Sequence, residues 1–285
     1  MDQFRFTSRD GTEITCYRWS ATTRTRGILQ ISHGMGEHAM RYAPVAEFYT
    51  SAGFHVVAND HRGHGKSVKN KEGLGDFGAG GWNALIADMV TLTRKAKAES
   101  PEVPLILLGH SMGSFALQQY LLDHSGYIGG AVLSGSAAAD RLGLDPEREV
   151  DLSEINAPFE PARTPFDWLS RDAKEVDKYI ADPLCGFGVN KTSTQSMATA
   201  MARTVDPTAL ALIRKDLPVH ILAGDKDPVN VNLDALKIVA QRYRAAGLRD
   251  VTEKYYPGGR HEMFNEINRD DVMRDLLAWM NGVVG

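Results

Sequence analysis

The 285-residue chain is expected to fold as an α/β protein, with a mostly parallel central sheet, helices on both sheet faces and an inserted helical cap over one edge. Three observations predict this. Short apolar runs alternate with amphipathic stretches along most of the chain. That alternation breaks between residues 139 and 206, where Pro146, Pro158, Pro161 and Pro165 punctuate short helix-like pieces. Finally, the run Leu105-Ile106-Leu107-Leu108 ends in Gly109-His110-Ser111-Met112-Gly113, the pattern of a tight strand-to-helix turn.

A hairpin at Asp10-Gly11 begins the sheet by pairing 4–8 with 12–19. The parallel strands are expected at 28–32, 55–59, 105–108, 130–134, 219–223 and 251–256. The run 105–108, all Leu or Ile, is of the kind that a strand buried on both faces requires. Helices are expected at 42–52, 82–98, 112–124 and 232–246, with a last amphipathic helix at 270–280. The core then comprises 1–138 and 207–285, and 139–206 forms the cap. An insertion after the C-terminal end of a strand overhangs the edge where open α/β sheets bind ligands. Phe159, Phe166, Trp168, Leu169, Phe187, Met197 and Met201 are its apolar candidates for lining a substrate pocket, and about half of them are expected only to pack cap on core.

Ser111 stands where a nucleophile would. Glycines two residues before and after it let the backbone pass without a Cβ clash, and the hydroxyl is pushed out of the sheet. A neutral hydroxyl needs a base to take its proton and a carboxylate to orient that base. In elbows of this kind the chain order is Ser, acid, His. Only His124, His220 and His261 follow Ser111. His124 ends a helix and His220 lies inside a strand, which leaves His261, in a loop before the last helix. The acid is sought after the strand at 219–223, where Asp225 and Asp227 both qualify. Asp227 is preferred because the following Pro228 holds it extended, whereas Gly224-Asp225 reads as a turn. Spacing alone does not separate two residues so close, and Asp225 stays open. The backbone N–H of Met112 is one oxyanion donor, and the Gly-rich loop 33–38 suggests the Met35 N–H as the second.

Together, Gly109-His110-Ser111-Met112-Gly113, His33-Gly34-Met35-Gly36-Glu37-His38, Asp60-His61-Arg62-Gly63-His64-Gly65-Lys66-Ser67, Gly224-Asp225-Lys226-Asp227 and His261-Glu262 resemble the α/β-hydrolase superfamily, and within it the monoacylglycerol lipase and lysophospholipase branch. The resemblance covers nearly the whole chain. The stretches 166–172 and 182–187 are similar to the cap of bacterial members. The resemblance implies the α/β-hydrolase fold and a serine ester hydrolase acting through an acyl-enzyme on monoacylglycerols or similar neutral acyl esters. It also implies Ser111, Asp227 and His261 as the triad and Met35 and Met112 as backbone oxyanion donors. Lysophospholipase, thioesterase, peptidase and carbon–carbon hydrolase activities share such a triad. A receptor binding a small ligand beneath the cap is the reading from another class, and the complete Ser-Asp-His set argues against it.

Composition narrows the partners. With 43% hydrophobic residues and a net charge of −4 the chain can bury a large core. Lys and Arg are dispersed, which argues against nucleic acid, and no apolar run approaches spanning length, which argues against membrane insertion. No apolar leader follows Met1, so the cytoplasm is the expected location. Cys16 and Cys185 lie far apart and are expected to serve packing. The pairs His33/His38 and His61/His64 lack a third ligand at fixed spacing, so neither metal nor cofactor is expected. His33 and His64 are expected to brace the loops around the oxyanion hole. From 141 to 206 there are eight Lys/Arg against twelve Asp/Glu, which accounts for the whole net charge. An acidic cap should favour neutral over anionic esters. The sequence is silent on oligomeric state.

Overall fold

Apolar runs become strands buried on both faces, and the amphipathic stretches between them close over those faces. The computed structural model describes residues 1–285. In chain order its elements are β1 (Asp2–Thr7), β2 (Glu13–Trp19), β3 (Gly27–Ser32), α1 (Ala43–Ser51), β4 (Phe54–Asn59), α2 (Gly81–Glu99), β5 (Leu105–His110), α3 (Met112–His124), β6 (Gly130–Ser134), α4 (Ala173–Ala181), α5 (Lys191–Met201), α6 (Pro207–Leu210), β7 (Val219–Gly224), α7 (Asp234–Ala245), β8 (Val251–Tyr256) and α8 (Arg269–Val284). The eight strands form one sheet in the order β1-β2-β4-β3-β5-β6-β7-β8. β1 and β2 are antiparallel to their neighbours, and β3 through β8 pair in parallel. This is the α/β-hydrolase fold.

The two-residue period of a strand divides each strand between two cores. Leu105 and Leu107 of β5 join one, with Leu85 and Met89 of α2, Ala116 of α3 and Leu236 of α7. Ile106 and Leu108 face the other, with Val45 and Tyr49 of α1 and Leu276 and Met280 of α8. Helices therefore cover both faces, as expected.

Several boundaries differ from the sequence reading by one to four residues, two of them for identifiable reasons. The last helix runs on through Gly282, because Val283 and Val284 pack against the second core and offset the helix cost of the glycine. α7 starts at Asp234, two residues late, because Val231, Asn232 and Leu233 all have positive φ.

Between β6 and β7 the chain leaves the sheet. Leu152, Trp168, Leu169 and Tyr179 gather there into a small third cluster, with Met35 and Val229 packed against it. α5 sits deeper: Met197 and Met201 belong to the main core, and Ser196 and Ser193 Oγ accept from the amides of Trp82 and Phe77 at 3.0 and 2.9 Å. No helix is long and apolar enough to cross a membrane.

Candidate active site

The turn from β5 into α3 holds Ser111 at φ 53°, ψ −123°, a conformation that costs a non-glycine residue about 1–3 kcal/mol. Neighbouring glycines make that turn possible. A Cβ on Gly113 would lie 2.1 Å from the Ser32 carbonyl oxygen, and one on Gly109 would lie 2.4 Å from that of Gly113. The Ser111 amide donates to Ser134 O of β6 at 2.9 Å, which ties the turn to the sheet. Ser111 also caps the N-terminus of the thirteen-residue α3, where unpaired amides favour negative charge.

Parallel pairing of β7 with β8, in register from Val219↔Val251 to Gly224↔Tyr256, delivers the loops after both strands to the same edge. Asp227 and His261 meet there. His261 Nδ1 donates to Asp227 Oδ1 at 2.9 Å, and the same oxygen accepts from the Val229 amide at 2.9 Å. Both side chains are buried. His261 Nε2 has no hydrogen-bond partner and its ring lines the cavity that also contains Ser111. Asp225 does something else: its Oδ1 accepts from the Gly258 amide at 2.7 Å and braces the loop that carries His261. The two aspartates that spacing left unresolved are thus separated by geometry.

The His261 ring lies between Trp168 and His110, each with its ring centroid 4.7 Å away. The main chain is clamped as well, since the amides of His261 and Glu262 donate to Trp168 O and Leu169 O at 3.3 and 2.8 Å. Burial by itself would lower the His261 pKa, but the charge and hydrogen bond of Asp227 outweigh it and hold the imidazolium above its ordinary 6.5. His110 and His64 are pushed down to about 4 and His33 and His61 well below 6.5, in each case chiefly by burial. Among these five histidines only His261 is raised above its ordinary value, and the cause is Asp227.

The opposite wall is the loop after β3. Glu37 Oε1 accepts from the Gly34 amide at 2.6 Å and from Tyr42 OH at 2.8 Å. Arg41 Nη1 bridges Glu37 Oε2 and Glu262 Oε1 at 2.6 Å each, which links this loop to the one carrying His261. Burial pushes the Glu37 carboxyl upward, and the Arg41 charge overcomes it and keeps the group ionised. Met35 and Met112 both line the cavity, and their amides donate to none of the acceptors used by turns, loops and side chains. His33 supplies the expected bracing: its Nδ1 donates to Gly34 O at 2.8 Å, while Nε2 accepts from the His61 amide at 2.9 Å. His64 Nδ1 donates to Arg62 O at 3.0 Å, and its ring packs 5.0 Å from that of Phe187.

Of the seven proposed lining residues, Trp168, Leu169 and Met197 face the cavity of about 520 Å³. Phe159, Phe166 and Met201 are not among its lining residues. Phe159 lies under the Arg260 guanidinium at 4.4 Å, Phe166 packs on Tyr179 at 5.2 Å, and Met201 is committed to the main core. Phe187 likewise lies off the cavity, against His64. Sequence reasoning missed most of the apolar wall, which comes from Leu142, Leu144, Val150, Leu152 and Ile155. That stretch has neither helical nor strand period and is crowded with charges, so only its aliphatic content signalled it. Sequence reasoning also missed the Glu37–Arg41–Glu262 bridge, whose parts lie more than two hundred residues apart.

Residues 23–268 match the family model for Serine aminopeptidase, S33. The chain is 32% identical over 279 residues to a monoacylglycerol lipase of Mycolicibacterium smegmatis, covering 96% of this chain and 95% of that one. It is 27% identical to the monoglyceride lipase of Rattus norvegicus, covering 95% of this chain and 88% of the other. A carboxyl esterase from Bacillus coagulans, solved in complex with glycerol, superposes with a TM-score of 0.89 at 29% identity, covering 100% of this chain and 99% of that one. On these likenesses, the chain belongs to the α/β-hydrolase family described as Serine aminopeptidase, S33, and is a carboxylic ester hydrolase of its monoacylglycerol-lipase-like kind.

Proposed function

We propose that the enzyme hydrolyses monoacylglycerols through a Ser111 acyl-enzyme. The observation that carries this reading is the buried His261–Asp227 pair, whose free Nε2 belongs to the same cavity wall as Ser111. In the proposed reaction Ser111 Oγ attacks the ester carbonyl carbon and gives its proton to His261 Nε2. The imidazolium that forms is stabilised by Asp227. The tetrahedral oxyanion accepts from the Met35 and Met112 amides, at the positive end of α3. Collapse breaks the ester C–O bond, and the departing glycerol oxygen takes the proton from His261. Water, activated by His261, then releases the fatty acid. Residues 139–206 serve as the cap and residues 1–138 and 207–285 as the core. Release of glycerol and fatty acid from a medium-chain monoacylglycerol tests this directly, and a protein that turns over short p-nitrophenyl esters but no glyceride would restrict the reading to a general esterase.

The pH dependence follows from the sign of the His261 shift. Only the neutral imidazole accepts a proton, and Asp227 holds its pKa above 6.5. kcat/KM should therefore be flat at alkaline pH and fall with decreasing pH about a midpoint above 6.5. A midpoint below that value would place the titrating base elsewhere.

Charge at the cavity mouth supports a neutral substrate. Asp145, Glu149, Asp151 and Glu154 are exposed lining residues there, against Arg141 and Arg148. Arg148 is itself engaged with Glu154 at 2.6 Å. An anionic ester should be repelled, and the repulsion should weaken when the screening length falls from about 30 Å at 0.01 M salt to about 8 Å at 0.15 M. We expect kcat/KM for a phosphate-bearing ester to rise with salt more than that of its neutral counterpart. Preference for the phosphate-bearing ester at low salt would point to a lysophospholipid pocket.

A further inference from the structure

His38 closes the Gly-rich loop after β3, and along the chain it has no partner for binding a cation. Folding supplies two. His38 Nε2 lies 2.9 Å from Asp182 Oδ2, and one donor atom from each of His38, Asp182 and Cys185 lies within 4.8 Å of the other two. The turn that carries the last two is fixed by hydrogen bonds of its own: Asp182 Oδ1 accepts from the Leu184 amide at 2.9 Å, and the Cys185 amide donates to Asp182 O at 3.0 Å. A further hydrogen bond, from the Gly186 amide to Gly36 O at 3.0 Å, ties this turn to the loop that carries His38. The three side chains therefore meet across a junction already held together by main chain.

The Cys185 thiol takes part in no side-chain hydrogen bond, and an ion pair between His38 and Asp182 has no use for a third donor beside it. One imidazole, one carboxylate and one thiolate are the donor set of a borderline-soft divalent cation. Zn²⁺ bonds of about 2.0–2.2 Å to N and O and about 2.3 Å to S set tetrahedral donors about 3.3–3.6 Å apart. The His38–Asp182 contact reaches that spacing by opening about 0.5 Å, well within the play of two half-buried side chains. Side-chain exposures of 12% for His38 and 31% for Asp182 leave solvent access for a water in the fourth position. The charge of the nearby Arg41 is engaged by both Glu37 and Glu262, at 2.6 Å each.

We propose that His38 Nε2, Asp182 Oδ2 and Cys185 Sγ form a binding site for Zn²⁺, or a cation of the same class, that clasps the cap to the loop bearing Met35. On binding, the Cys185 thiol loses its proton to solvent as the sulfur–metal bond forms, with no change of oxidation state. Occupancy joins the 182–185 turn to the loop that presents the Met35 amide, and so stabilises the cap–core junction.

Metal-free full-length protein titrated with Zn²⁺ against a fluorescent chelator should bind one equivalent. Co²⁺ should give a thiolate-to-metal charge-transfer band. Cys185→Ser should abolish that band, and Cys185→Ser and His38→Gln should each weaken Zn²⁺ at least about tenfold. Zn²⁺ should raise the melting temperature of the unaltered protein and leave that of Cys185→Ser unchanged. Asp182→Asn keeps the side-chain acceptor of the turn while removing the anionic ligand, and should also lose affinity if Cys185→Ser fails to fold. No Zn²⁺ binding, or binding unaltered in a folded variant of any of the three residues, would overturn the site and leave the His38–Asp182 contact a plain ion pair.

Discussion

Ser111→Ala should lower kcat for ester hydrolysis by on the order of 10⁶ while the protein stays folded. The size of the loss reflects the proposed role, since without Oγ no acyl-enzyme forms and only the oxyanion donors and binding remain to help water. The intact fold follows from the structure. Ser111 Oγ makes no hydrogen bond that holds the turn, whose contacts run through the backbone to Ser134 O. Alanine also has the same Cβ at φ 53°, so the backbone cost is unchanged. Ser111→Gly should be equally inactive yet more stable, by about 1 kcal/mol, because it relieves that cost. Thermal melts of both variants beside steady-state kinetics separate the two effects. A fall in activity that tracked a fall in folded fraction would mean that Ser111 matters to the turn and not to the reaction.

Asp227→Asn should cost about 10³–10⁴ in kcat. An amide in that place can offer its N–H₂ to Nδ1, which stabilises the tautomer whose Nε2 carries the proton and cannot accept one from Ser111. The variant also removes the charge that raises the His261 pKa, so the acid limb of kcat/KM should move to lower pH. Asp225→Asn makes the control. Its carbonyl can still accept from Gly258 N–H, so both activity and the pH midpoint should stay close to those of the parent enzyme. Equal losses in the two variants, or an unmoved midpoint in Asp227→Asn, would contradict the assignment.

How much the sequence disclosed depended on whether a feature was local. Strands β6 and β8 and helix α3 have the bounds their patterns predicted, because each starts and ends on a local change of period. The turn at Ser111 was legible for the same reason: its glycines answer contacts with Gly113 O and Ser32 O that any sharp strand-to-helix turn creates. The pairing of Asp227 with His261 required tertiary structure. Both aspartates lie just past β7, and what distinguishes them is that the Gly258 amide occupies Asp225. Phe159, Phe166 and Met201 were misplaced because apolar content predicts burial without predicting the side from which it comes. Phe159 found Arg260, Phe166 found Tyr179, and Met201 followed α5 into the main core. Equally illegible were the meetings of Arg41 with Glu262, 221 residues apart, and of His38 with Asp182, 144 residues apart.

The most direct test of the central claim is covalent. A fluorophosphonate reacts with a serine whose hydroxyl is deprotonated in place and whose oxyanion donors await a tetrahedral centre. Treated with such a probe and digested, the enzyme should yield one modified peptide, with the adduct on Ser111 and hydrolysis lost in proportion to labelling. An adduct on another residue, or full labelling with hydrolysis retained, would contradict Ser111 as the nucleophile and with it the reading of this site.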